Sequence, residues 1–346
     1  MKTDEFLRQV TALPGVTGNE RAAAEFIAKA FEPYADEVEI TPLNSVIAHK
    51  KGKGPKVMIC AHLDEIGMMV SKIEKDGCLR LQSVGGVDPR VLPGMRVKVY
   101  AKDEVLLGIV GATPPHLMRE ADRKNNYTFE TLFVDLGMAA DKVRELVQIG
   151  DLITLHGEAT KLLNHRVASK TMDDRACVGC LLMAAERLQT MQHMCDIYFV
   201  ATSQEEVGCK GAATAAFTVD PDLAVALDVT HATIPASRPD TTVPLDAPAL
   251  TYGPYIQHRL LERMKKTARD NGIRINTELA SSATHTDTDN IQIARAGVPC
   301  VLIDLPLKYM HTTVELLDMD VISECGRLLA LFLAGIDEKW EDGLWN

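Results

Sequence analysis

Four short, unbroken apolar runs constrain this chain more than any other feature: VMICA at 57–61, IYFVA at 197–201, LAVAL at 223–227 and CVLI at 300–303. Apolar runs this short, with no polar alternation, fit strands covered on both faces, the situation of a largely parallel sheet between layers of helices. Helical patterns lie between or beside them at 177–189, 211–217 and 259–271, and a longer one follows at 322–333. Strand and helix in alternation predict an α/β fold, a mostly parallel or mixed sheet flanked by helices. Upstream, a helical pattern at 4–13 ends at Pro14-Gly15. A second, RAAAEFIAKAF, follows Thr17 and Glu20, which have capping-box spacing.

Between the first of these strands and the others, the pattern changes. Residues 70–163 carry short β-like pieces (LRLQSV, MRVKVYA, VLLGIVG, TLFVDLG, DLITLHG) broken by glycine and proline, with a charged loop at 112–130. That is the signature of a small all-β unit. A length of 346 residues suits two domains. The reading is a catalytic domain from 1–69 and 164–346, interrupted by an inserted β domain at 70–163.

Composition excludes several classes of function. The net charge is −11, with 48 acidic against 37 basic residues and no basic stretch, so a nucleic-acid partner is not expected. No window reaches the roughly 18 consecutive apolar residues of a membrane span. The start MKTDEFLRQV has no apolar segment behind a basic one, so the expected compartment is the cytoplasm. There the eight cysteines are expected as free, buried thiols. The Cys177-Val-Gly-Cys180 pair stands in a helical pattern with no second pair at zinc-finger spacing, and reads as core packing.

The chemistry gathers where the strands end. Open α/β sheets bind ligands beyond the carboxyl ends of their strands. Here VMICA runs into His62-Leu-Asp64-Glu65, IYFVATSQ into Glu205-Glu206, and LAVAL into Asp228, while His311 follows CVLIDLP. Lys170-Thr-Met-Asp173-Asp174-Arg175 precedes the Cys177 helix. Any one of these acids would be an ordinary turn or cap residue. Brought to one end of one sheet, His62, Asp173, Glu206, Asp228 and His311 would crowd three carboxylates together. Such charges raise each other's pKa unless cations neutralise them. Mixed imidazole and carboxylate ligands suit zinc or a similar first-row dication. Adjacent Glu205 and Glu206 point different ways from an extended chain, so one can bind metal while the other takes a proton from water. In His62-x-Asp64 the spacing puts both side chains on one side of a strand, where Asp64 can orient His62.

The segments AHLDEIGMMV, SKTMDDRACVG, SQEEVGCKGA, ALDVTHA and MHT resemble the M42 family of metallo-aminopeptidases, as do PPH at 114–116, FVDLG at 133–137 and IGDLI at 149–153 of the β unit. The resemblance covers nearly the whole chain. It implies a phosphorylase/hydrolase-like α/β fold whose inserted β domain serves dimerisation and higher assembly, from dimer to dodecamer. It further implies two divalent ions per subunit, zinc or cobalt with manganese as a further option. His62 and Asp228 would hold one, Glu206 and His311 the other, and Asp173 would bridge them. Glu205 would be the general base, and Asp64 the supporting carboxylate behind His62. Asp174 would be a helix-start neighbour, and His231 a group on the substrate side.

The activity so implied is removal of N-terminal residues from peptides. The alternatives are an M20-like carboxypeptidase or N-acyl-amino-acid deacylase, and, less favoured, a glucanase, which would ordinarily use two carboxyls and no metal. One stretch departs from the family pattern: Ser281-Ser-Ala-Thr-His285-Thr-Asp287-Thr-Asp289 stands where a glycine-rich run before a Thr-Asp pair is usual. Thr288-Asp289 fits that pair best, and the departure bears on the substrate pocket.

Overall fold

The computed structural model describes residues 2–235 and 237–342. In chain order, two helices, α1 (Thr3–Val10) and α2 (Arg21–Phe31), lead into strands β1 (Glu37–Ile40), β2 (Val46–Lys50) and β3 (Lys56–His62). Next come β4 (Gly67–Ile73), β5 (Leu79–Val84), β6 (Arg96–Tyr100), β7 (Val105–Ala112), β8 (Leu132–Asp135), helix α3 (Ala140–Leu146) and β9 (Leu152–Leu155). The chain then returns through β10 (Thr160–Lys161), β11 (Arg166–Ser169), α4 (Met172–Arg187), β12 (Asp196–Thr202), α5 (Lys210–Val219), β13 (Leu223–His231) and β14 (Ala249–Tyr252). It closes with α6 (His258–Asp270), β15 (Asn276–Leu279), α7 (Asp287–Ile291), β16 (Cys300–Leu307), β17 (Glu315–Asp318) and α8 (Met319–Ala334).

The four apolar runs form the parallel centre, β12-β3-β13-β16, of an eight-stranded sheet ordered β1-β2-β12-β3-β13-β16-β14-β15. Its flanks are mixed: β2 runs antiparallel to β12, and β14 antiparallel to β16. Helices cover it and complete one large core around Phe6, Ile59, Leu181, Phe199, Val225, Leu302 and Leu329. Cys177 and Cys180 lie fully buried in that core as free thiols, donating to the carbonyls of Asp228 and Ile322. Among the described residues no helix is long and apolar enough to cross a membrane.

The β-like pieces close into a separate barrel, β4-β5-β8-β7-β6-β9, with its own core of residues such as Val97, Val110, Val134 and Ile153. It begins at Gly67, and it includes the short helix α3, which a reading of pure β pattern passed over. On β7 the alternation leaves Leu107 64% and Ile109 56% exposed on the outer face.

Two local expectations are corrected. Glu20 is the residue before α2 and no side chain caps that helix. Glu20 instead accepts from the Gly18 N–H, and the Thr17 hydroxyl donates 2.7 Å to Asp64 Oδ2. Helix α4 starts at Met172 rather than Cys177, with a kink at Asp173 and Asp174, so its first turn delivers acids to the sheet's end. Fully buried Arg175 anchors that turn, donating to the carbonyls of Leu63, Val10 and Leu13. Gly15 makes room for it: a Cβ there would lie 1.9 Å from Arg175 Nη2.

Candidate active site

Register explains how the strand ends converge. Thr202 pairs with His62 across β12 and β3, and Asp228 with Asp304 across β13 and β16. Ala226 pairs with Cys60, so Asp228 and His62, each two residues further on, share a face. Thr202, His62, Asp228 and Asp304 therefore form one polar row across the parallel centre of the sheet. Both β13 and β16 continue past their acids, so Asp228 and Asp304 lie within strands rather than after them.

Asp173 is the hub. Its two oxygens face two histidines: Oδ1 lies 3.0 Å from His62 Nε2, and Oδ2 lies 3.1 Å from His311 Nε2. Glu206 Oε1 is 3.5 Å from the same His311 nitrogen, and Glu205 Oε2 is 3.9 Å from His62 Nε2. Potential ligand atoms of His62, Asp173 and Glu206 lie within 4.8 Å of one another, as do those of His62, Asp174 and Asp228. All seven residues singled out in the sequence thus meet in one place. Asp174 joins them rather than standing aside: it is fully buried, and its Oδ2 accepts the His62 backbone N–H at 3.1 Å. Exposed His231 ends β13 at the margin.

Asp64 does more than the His-x-Asp spacing suggests. His62 Nδ1 lies 3.3 Å from the Asp64 carbonyl and 3.6 Å from its carboxylate. The carboxylate is chiefly occupied elsewhere, accepting the backbone N–H groups of Glu205 and Glu206 and the Thr17 hydroxyl. It holds the turn that carries both glutamates.

Two positioning groups, Glu315 and Gly86, escaped sequence reading. Buried Glu315 accepts the Asp173 N–H at Oε2, 3.1 Å, and the His311 N–H at Oε1, 2.8 Å, so one carboxylate sets two backbones. The Gly86 carbonyl, contributed by the barrel, lies 2.9 Å from His311 Nδ1. Lys170 pairs with Glu65 at 2.6 Å, both buried, beneath the α4 entry. Neither Glu315 nor Gly86 has a sequence signal beyond its residue type. Of the two Thr-Asp pairs near 288, Asp287 is the one in the site: it is 1% exposed and bonded by Thr202. Asp289 instead caps the loop, accepting from the Thr284 and His285 amides.

The electrostatics show a surplus of acid. Burial works against a charged His62, yet hydrogen bonds to Asp173 and Asp64 and the charge of Glu205 raise its pKa well above the usual value. His311 is raised to about 11, burial again outweighed by Asp173 and Glu206. Asp173 is buried too, but the two imidazoles hold it below the carboxylate range. Two other acids move upward: Glu205 to about 8, through burial and then Asp287 and Glu206 against the opposing pull of His62, and Asp228 well up through burial and Asp174. Two imidazoles cannot balance Asp173, Asp174, Glu205, Glu206, Asp228 and Asp287. Bound cations would balance them, and Nε2 and carboxylate oxygens turned to a common centre are the donor set that dications take.

Comparison with known proteins agrees. The family model described as M42 glutamyl aminopeptidase matches residues 44–328. The chain is 36% identical to a lysyl aminopeptidase of Pyrococcus furiosus over 91% of its own length and 92% of the relative's. It superposes on a TET aminopeptidase from a marine sediment Thaumarchaeota archaeon with a TM-score of 0.95, at 31% identity, covering 99% and 98% of the two chains. A Pyrococcus horikoshii TET1 peptidase, described as assembling into a tetrahedron or a large octahedral shell, aligns with a TM-score of 0.85 at 27% identity, covering 97% of this chain and all of that one. The chain belongs to the M42 peptidase family, whose members are metal-dependent hydrolases.

Proposed function

From this family membership, we propose that the chain removes N-terminal residues from peptides at the Asp173 centre, with Glu205 as general base. The observation that carries the proposal is the pair of histidine Nε2 atoms on opposite oxygens of Asp173, with Glu205 Oε2 beside one of them. His62 and Asp228 would hold one divalent ion, Glu206 and His311 a second, and Asp173 would stand between. Zinc, cobalt or manganese bound there would neutralise the acids, lower the pKa of water and polarise a substrate carbonyl.

The protein's own part follows from its geometry. Asp64 fixes the backbone of the 205–206 turn, which leaves the Glu205 carboxyl free to move a proton. Its Oε1 accepts from the Cys209 thiol at 3.3 Å, while Oε2 faces His62 Nε2. Glu205 Oε2 takes the proton of the attacking water and delivers it to the leaving amine nitrogen.

A pocket of about 300 Å³ is lined by Val229 and Thr286, the chain neighbours of Asp228 and Asp287, and would receive the N-terminal side chain. Its walls include Glu278 and Asp304, the latter on the same face as Asp228. Glu278 Oε2 is buried with no hydrogen-bond partner among the described residues. Such walls favour a basic N-terminal residue, in keeping with the lysyl specificity named for the Pyrococcus furiosus relative. We further propose a cytoplasmic homo-oligomer, dimer to dodecamer, assembled through the 70–163 barrel. The exposed apolar face of β7 supports it.

The test is chelation and metal add-back on aminoacyl-anilides beside their N-acylated forms, repeated with Glu205→Gln. Activity on free-amine substrates should vanish with the metal and return on add-back. In the variant, turnover should fall by about 10²-fold or more. Turnover at the wild-type rate in Glu205→Gln would remove Glu205 as base. Preference for N-acylated substrates would point to the deacylase alternative.

A further inference from the structure

Beside the Asp173 centre lies a second cluster with different chemistry. Potential ligand atoms of Glu205, Cys209 and Asp287 lie within 4.8 Å of one another, and all three residues are largely buried. The Cys209 thiol donates to Glu205 Oε1 at 3.3 Å. Asp287 is 1% exposed; Thr202 bonds its Oδ2, while its Oδ1 is sealed from solvent with no hydrogen-bond partner among the described residues. A buried carboxylate oxygen without a partner is one that a positive group would stabilise.

We propose that Glu205, Cys209 and Asp287 form a third, thiolate-containing cation site, selective for soft dications and inhibitory when filled. The centre of a triangle with 4.8 Å edges lies about 2.8 Å from each corner, so closing by less than about 1 Å gives ordinary zinc–sulfur and zinc–oxygen lengths. Binding displaces the thiol proton to solvent, and the ion takes its place between sulfur and the two carboxylates. The sulfur separates this site from the Asp173 centre, whose converging groups offer only nitrogen and oxygen. A thiolate favours zinc over magnesium or manganese, and cadmium more strongly still. The same Glu205 carboxylate cannot hold that ion and accept a proton from water. Inhibition therefore rests on the proposed role of Glu205, whereas the site itself does not.

Cadmium is the probe, titrated into zinc-loaded enzyme while the ultraviolet sulfur-to-cadmium charge-transfer absorption and aminopeptidase turnover are followed together. One cadmium per subunit should bring in the band as turnover falls. Cys209→Ser should abolish the band and weaken inhibition by about tenfold or more, with Cys209→Ala as the alternative should the serine variant fail to fold. A titration without the band, or a band and inhibition unchanged in the variants, overturns the site. A band that appears while turnover persists keeps the site and overturns Glu205 as the base.

Discussion

Replacing Gly86 by alanine tests whether the barrel places a histidine of the hydrolytic centre. A Cβ at this position would sit 2.9 Å from both Cε1 and Nδ1 of the His311 ring. Nonbonded carbons rest about 3.5–4.0 Å apart, so something must move by about 0.5–1 Å. The His311 backbone is held, its N–H bonded to buried Glu315. The ring, 28% exposed, is what gives way. Its Nε2 then leaves a position 3.1 Å from Asp173 and 3.5 Å from Glu206. A misplacement near 1 Å costs about 10²-fold in rate. The expected result is a kcat on aminoacyl-anilides lowered by about ten- to a hundredfold, with weaker metal retention on dialysis. The thermal midpoint should hold, because the displaced ring is not core. Wild-type kcat and metal content in Gly86→Ala would refute the reasoning. So would a collapse in melting temperature, which would mean that Gly86 serves the barrel and not His311.

Arg175→Leu removes the donor to three backbone carbonyls and leaves Glu65 with Lys170 as its remaining buried partner, so unfolding by urea should show a loss of about 3–5 kcal/mol; a loss below about 1 kcal/mol would contradict that account. Leu107→Asp combined with Ile109→Asp places charge on the outer face of β7 and should lower the mass measured by light scattering without unfolding the chain. Assembly of wild-type mass in that double variant would exclude this face. Glu278→Gln should reduce the kcat/KM ratio of lysyl- to leucyl-anilide by about tenfold, the worth of one charged hydrogen bond, and an unchanged ratio would take Glu278 out of the substrate pocket.

The sequence alone determined the layers and the chemical cast. Unbroken apolar runs can be satisfied only by strands covered on both sides, so the parallel centre of the sheet was readable from residues 57–61, 197–201, 223–227 and 300–303. The same reasoning found the barrel through its short broken β pieces. Ionisable residues directly after apolar runs named His62, Asp64, Glu205, Glu206 and Asp228, because a charge beside a buried strand needs a reason. What only the tertiary structure decided was which groups touch. Register across β12, β3, β13 and β16 set Thr202, His62, Asp228 and Asp304 in one row, a relation between segments far apart in sequence that no local pattern records. Glu315 and Gly86 likewise act on His311 through contacts made by folding alone. The choice of Asp287 over Asp289 turned on burial, not on motif. Periodicity reports which face of a segment is dry; it says nothing of which other segment that face will meet, and the hydrolytic centre is made of such meetings.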